Sequence, residues 1–417
     1  PQPTLVDTFR TSSDGLTWEF KFRQGLKFHD GTPVNSLHAS KSLERFFKRD
    51  SYGGLLATFV DRVETPDDLT VVLRLKEPTG VMLDALARIA GYEAFIMPPA
   101  MYEVDPLQGA PVIVGTGPYK FVSYKAGDRA VLEKWPDYKS PSGPASFLAG
   151  ERKAYLDRIE LIIIPDFGAR MAALETGALD FLGEITPDLR SRLESNPDVV
   201  VRVQERSPSR VGIWINHVKA PFSDPRVRKA VQMGVDPERY LFALMGNRDL
   251  YMKCGTVMVC NSRWGGIRGE GDEIYYNAPD LEGAKKLLQE AGVYGTRINL
   301  IVPQGGGIGE LNGLAARDYL ASLGFDVDFQ VLDSATYTAR RSDKAYVDTF
   351  LTIGNFTFGG ISPLLQTSLF VDKFANNYQD TSGRMTRLLD QLARAGDDQA
   401  RRAVMVEIQK QFYVDFP

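Results

Sequence analysis

Two of the chain's three histidines, His29 and His38, flank an Asp-Gly in GLKFHDGTPVNSLHA, residues 25–39. Histidines beside a carboxylate are a proton-transfer or metal-ligand pattern, but a general base needs a positioned partner. Nothing in the sequence pairs His29, His38 or His217 with one, so all three are expected to be structural or solvent-facing. Asp30-Gly31 and Pro33 are turn chemistry. Cys254 and Cys260 lie in KCGTVMVCN, a spacing that matches no common zinc or redox motif. They read either as a disulfide, which is favoured, or as two buried thiols. The stretch PQGGGIGE, residues 303–310, has glycines between a strand and a helix, a place where backbone N–H groups can face an anion. It lacks the Lys-Ser/Thr of a phosphate loop and the spacing of a dinucleotide loop. Both a flexible connection and a ligand-facing loop stay open. Carboxylates are scattered, and no G-x-S-x-G, H-E-x-x-H or phosphate-loop motif is present. No catalytic set, metal site or cofactor is expected.

The elements that would position these residues alternate in type. TWEFKFR alternates strictly from Thr17, as a half-buried strand does. SLHASKSLERFFKR places Ala39, Leu43, Phe46 and Phe47 on one helical face. LTVVLRLKEP is a strand closed by proline, and residues 114–135 form a hairpin bending at AGD. IELIIIP alternates little and is expected to be a strand buried on both faces. LETGALDF reads as helix, glycine, strand. Residues 210–245 give a strand, a helix capped near Ser223-Asp224 and a second helix from Pro237. LEGAKKLLQEAG is an amphipathic helix, and INLIVPQ, GELNGLAARDYLASLGF and DVDFQVL form a βαβ unit. Two helices separated by AGDD close the chain. The class is α/β.

At 417 residues the chain exceeds one compact core, so two or three domains are expected. A net charge of −4 argues against nucleic acid or an anionic membrane as the main partner. No apolar run reaches membrane-spanning length.

Six blocks, in order, resemble the family 5 extracellular solute-binding proteins. They are DGLTWEFKFRQGLKFHDGTPVNSLHASKSLERF, GTGPYKF with VLEKWPDY, LETGALDF, PFSDPRVRKAVQMGVDPERY, EGAKKLLQEAG and LASLGFDVDF. The resemblance implies a two-lobed periplasmic binding protein fold of type II, in its large cluster C variety, with an extra subdomain in the first lobe. It places that subdomain at 1–113, the core of lobe I at 114–245 and lobe II at 246–417. It implies a receptor of an ABC importer that traps a small solute between two lobes by hinge closure. It also implies an ABC permease and ATPase as partners, a monomer, and a periplasmic or lipid-anchored location. An opine-like solute or modified peptide is favoured, with an oligosaccharide or ordinary oligopeptide as alternatives and a hydrolase as the rival of another class. The family pattern has a further β-rich segment before the first block and a return segment after the last, and neither is recognisable here.

Ligand-binding candidates follow from the resemblance. Thr357 falls about where peptide-binding members carry an acid for the peptide's ammonium, and a neutral hydroxyl there disfavours free-amino peptides. Arg341 matches a cleft-facing arginine able to fork onto a carboxylate. Tyr52, expected in a loop after the first helix, Trp214, Tyr251, Lys253, Gln304 and Asn355 complete the set.

Overall fold

The computed structural model describes residues 3–87, 93–146, 149–203, 210–260, 267–305, 307–342, 350–356, 364 and 380–415, with backbone alone at 210, 341–342 and 350–356. The chain forms two compact units, Pro1–Ile163 with Ala393–Asp398, and Ile164–Leu392 with Gln399–Pro417.

The first unit holds two antiparallel sheets. Strands β1 (Val6–Thr11), β2 (Thr17–Phe22), β3 (Val60–Asp67) and β4 (Thr70–Leu75) pair in the order β1-β2-β4-β3. Strands β5 (Tyr119–Lys125), β6 (Arg129–Lys134) and β7 (Arg158–Ile162) form the second. β5 and β6 are the expected hairpin. β7 departs from expectation: among the described residues it pairs with β6 alone, and Leu161 is 56% exposed. An apolar run without alternation does not reveal whether both faces are covered, and at a sheet edge they need not be.

The HDGTP segment is a turn. The Gly31 N–H donates to Phe28 O, the Thr32 N–H to Asp30 Oδ1, and Gly31 has φ 88, a conformation that glycine adopts without a Cβ clash. Both of the opening histidines serve the backbone. His29 Nδ1 accepts from Gly115 N–H at 3.2 Å and its Nε2 lies 3.0 Å from Gly117 O. The ring therefore ties the turn to the GTGP segment and packs edge-on to Trp135. His38 Nδ1 accepts from Asn35 N–H while Asn35 Oδ1 accepts from His38 N–H, a capping box that starts the helix Ser36–Arg49. His38 is buried, not on the solvent side. Asp50 then ends this helix and caps the next, Ser51–Phe59. Tyr52 lies on that second helix and is 1% exposed, in the core of the unit and not in a loop. Asp50 starts that helix by accepting from the N–H groups of Tyr52 and Gly53.

The second unit is built on a mixed sheet of β8 (Arg210–Trp214), β9 (Arg297–Pro303), β10 (Asp326–Leu332) and β11 (Phe350–Phe356), in the order β10-β9-β11-β8. β9 is parallel to both neighbours, and β8 is antiparallel to β11. Helices Pro225–Met233, Leu281–Glu290 and Ile308–Leu323 bury Val227, Ala284, Leu288, Ala316 and Leu320 against Ile298, Leu300 and Val302 of β9. Residues 210–245 thus pack with the strands that follow them, whereas the sequence suggested lobes meeting at Met245. The expected strand at ALDF is not formed, and Phe181 is 80% exposed. Gly313 lets the helix Ile308–Leu323 approach the sheet, since a Cβ there would stand 2.4 Å from Val302 Cγ1.

Two predictions follow from this packing. Burial holds the imidazoles of His29 and His38 below their ordinary pKa of 6.5. The unfolded chain therefore takes up those protons first as the pH falls. Stability is full above about pH 6.5 and declines below it, until the lower folded values are passed. Urea midpoints measured from pH 7.5 to 5.5 should show this decline, and it should flatten when both are replaced by glutamine, which retains the capping-box acceptor. Gly313→Ala should destabilise by about 1–3 kcal/mol despite the better helix propensity of alanine, because the stiff Val302 side chain has to move. An unchanged urea midpoint would show that the sheet yields freely.

Candidate functional site

The chain order in the second sheet locates a crevice. β9 leads through the helix Ile308–Leu323 to β10 on one side of it, and β10 leads through the helix Ser334–Ser342 to β11 on the other. The direction of crossover therefore reverses at β9, whose carboxyl end lies beside that of its parallel neighbour β11. In open α/β sheets that reversal leaves a gap in which ligands bind. Gln304 follows β9 directly. Its side chain is exposed, while its backbone N–H donates to Leu332 O at 2.6 Å. Thr352 pairs with Ile301, so the register puts Asn355 level with Gln304. Thr357, the next residue but one, lies outside the described residues.

The glycine loop leaving β9 is fixed by two charged side chains from the segment after β7. Arg170, on the helix Phe167–Glu175, donates through Nη2 to Gly305 O at 2.9 Å, and its guanidinium lies 4.9 Å from the Phe167 ring centroid. Glu184 Oε1 accepts from Ile308 N–H at 3.0 Å, in the first turn of the helix Ile308–Leu323. That helix begins at Gly307, which has no capping side chain, so Glu184 supplies the missing acceptor and a charge suited to the helix dipole. Arg170 and Glu184 carried no signal in the sequence. Each meets its partner more than a hundred residues away.

A buried polar group orients the same helix. Tyr240 O–H donates to Asn312 Oδ1 at 2.6 Å, and Asn312 Nδ2 donates to Gly212 O at 3.3 Å. Burial pushes the Tyr240 phenol far above its ordinary pKa, so it remains a donor.

The other candidates lie elsewhere. Trp214 ends β8 opposite Thr352, four pairs from the Arg210–Phe356 end that adjoins the crevice, and is 8% exposed. Tyr251 O–H donates to Glu238 Oε1 at 2.7 Å. Lys253 Nζ stands 5.9 Å from the Tyr276 ring, which Arg268 also covers at 4.2 Å. Arg341 lies near the end of the helix Ser334–Ser342, whose start adjoins the carboxyl end of β10, and its side chain is outside the described residues, as is that of Asn355. Gln304 and Asn355 are the predicted pair that the sheet brings together. Among the described residues no group of three or more His, Cys, Asp or Glu could hold a metal ion.

Cys254 and Cys260 form the favoured disulfide, with Cα atoms 5.8 Å apart. The loop they close is buried: Thr256 Oγ1 donates to Met258 O, and Gln409 Oε1 accepts from Val257 N–H at 3.0 Å. The Gln409 amide also donates to Ile267 O and Glu270 O.

Comparison with known proteins decides the family. The family description "Bacterial extracellular solute-binding proteins, family 5 Middle" matches residues 1–376. The chain belongs to family 5 of the bacterial extracellular solute-binding proteins. One family relative, from Sinorhizobium fredii and named "Probable peptide ABC transporter periplasmic-binding protein", is 30% identical over 353 residues, 84% of this chain and 65% of its own length. The glutathione-binding protein GsiB of Pectobacterium atrosepticum is 31% identical over 295 residues, 69% of this chain and 52% of that protein. The chain therefore spans between half and two thirds of these relatives, which are named as binding proteins. Among solved structures, the periplasmic binding protein AgaA of A. tumefaciens R10, in complex with agropinic acid, matches with a TM-score of 0.76 at 23% identity, over 100% of this chain and 82% of that one. The fold is that of the periplasmic binding proteins.

Serine at both Cys254 and Cys260 should lower the unfolding free energy by roughly 2 kcal/mol, the contribution of closing so short a loop. It should read as a lower urea midpoint at an unchanged slope. An unmoved midpoint would assign the loop's order to its hydrogen bonds with Gln409, Tyr276 and Tyr413.

Proposed function

We propose that this protein is the extracytoplasmic receptor of an ABC importer and not an enzyme, and that it takes a small acidic solute of the opine or modified-peptide kind. The observation that carries the reading is the switch point at the carboxyl ends of β9 and β11, with Gln304 exposed beside it, in a chain of this family. Relatives support the solute class. One is named for glutathione, a modified peptide, and one solved neighbour holds agropinic acid. Thr357 supports it too, because a hydroxyl is a poor partner for the ammonium of an ordinary peptide. Arg341 would take a solute carboxylate. The partners would be a permease and its ATPase, and the location periplasmic or lipid-anchored. Among the described residues no helix is long and apolar enough to cross a membrane.

The test is a thermal-shift screen of solute-stripped protein against opines, glutathione, ordinary peptides and sugar oligomers, with each hit weighed by mass spectrometry. A solute that binds only the folded state raises the melting temperature. An opine or modified peptide should do so and be recovered intact, and Arg341→Ala or Gln304→Ala should weaken it about tenfold. If only sugars or ordinary peptides shift the melt, the acidic-solute reading fails. A hit recovered as product would overturn the receptor reading.

A further inference from the structure

The helix Ser36–Arg49 stacks Arg45 and Arg49 on one face, four residues apart. That face meets the segment 93–110 around a half-open cavity of about 170 Å³ in the first unit. Arg45 is 5% exposed. Its hydrogen bonds go to neutral carbonyls: Nη1 to Val104 O at 2.8 Å and Asp105 O at 3.0 Å, and Nη2 to Gln108 O at 2.7 Å. Among the described residues no carboxylate pairs with it. Among its contacts, Arg49 Nη1 donates to Pro106 O and Gln108 O. Glu93 is the single acid on the described wall, so the described lining carries one positive charge in excess.

A buried guanidinium costs free energy unless a counter-charge meets it, and carbonyls recover only part of that cost. Apart from Ser42, the remaining described walls are apolar. Phe46, buried, and Met97 line it, and Phe95, 58% exposed, adjoins solvent. A cavity of about 150 Å³ accommodates a benzene ring. Size, walls and excess charge together describe an anion with a compact apolar body. We propose that this cavity is a second binding site, for a small apolar carboxylate, with the carboxylate toward Arg45 and Arg49 and the body against Phe46, Phe95 and Met97. It lies in the first unit and does not depend on the solute site at β9 and β11.

The probe is benzoate, titrated into the full chain carrying carbon-13 methyl methionine. The Met97 methyl signal, assigned with Met97→Leu, should move saturably. Benzyl alcohol has the same ring without the charge, and should bind at least about tenfold more weakly. Ala110→Trp fills the cavity and should abolish the response, whereas Gln304→Ala should leave it intact. Arg49→Gln, a milder change, should weaken benzoate about tenfold and leave benzyl alcohol unaltered. A Met97 signal that does not move, equal binding of the two probes, or a response indifferent to both Ala110→Trp and Arg49→Gln would overturn the site.

Discussion

The second unit depends on the burial of β9. The strand has parallel neighbours on both sides, and Ile298, Leu300, Ile301 and Val302 are each 1% exposed or less. Helices cover one face, and Tyr337 packs on Ile301 on the other. Leu300, Ile301 and Val302 form an apolar run without a break, because water reaches neither face there. The strand then has to open where its crossovers part, and polar residues return there, with Gln304 at the head. One constraint thus produces both the core and the opening at its end.

That opening is useful only if its borders hold still. The helix Ile308–Leu323 is held at its start by Glu184 and on its flank by Asn312 and Tyr240. Tyr319 O–H donates to Val231 O, joining it to the helix Pro225–Met233. A lost partner at Asn312 would leave a buried amide unsatisfied at a cost of about 1–3 kcal/mol, a large share of a marginal stability. The disulfide loop is held in the same way: Gln409 uses both ends of its amide on three backbone groups that have no ladder to join.

Much of this was legible in the sequence, and the legible part has a common cause. Periodicity, caps and turn residues act over a few neighbours, so the helices at Ser36, Pro225, Pro237 and Leu281 and the βαβ unit could be read directly. The rest depended on distant chain. β7 has the composition of a central strand, yet only its partners determine that it is an edge. Tyr52 has a local helix start beside it in Asp50-Ser51, and only the packing of the unit shows that its ring is core. The loop closed by Cys254 and Cys260 is anchored in part by Gln409, 152 residues from its partner Val257. Arg170 and Glu184 could not be found at all, because their partners are not local. At the candidate site, the register placed Gln304 and Asn355 together, while nothing local distinguished Trp214 from a core tryptophan.

The histidines show why chemically suggestive residues can mislead. His29 and His38 have the side chains and the neighbouring carboxylate that proton transfer requires. In the folded chain, both nitrogens of His29 contact backbone groups, and His38 Nδ1 accepts the Asn35 N–H. A ring held by such bonds is kept neutral by its own burial and has no lone pair to offer a substrate. Arg45 lies on the same helix and presents the opposite case. Its partners are neutral carbonyls, so its charge is held in place without being neutralised. What separates scaffold from site is therefore the balance of charge and hydrogen bonds around a residue, more than the residue's type. Where that balance closes, as at His29, the chemistry is spent on the fold. Where it stays open beside a cavity, as at Arg45, the fold has left room for a ligand.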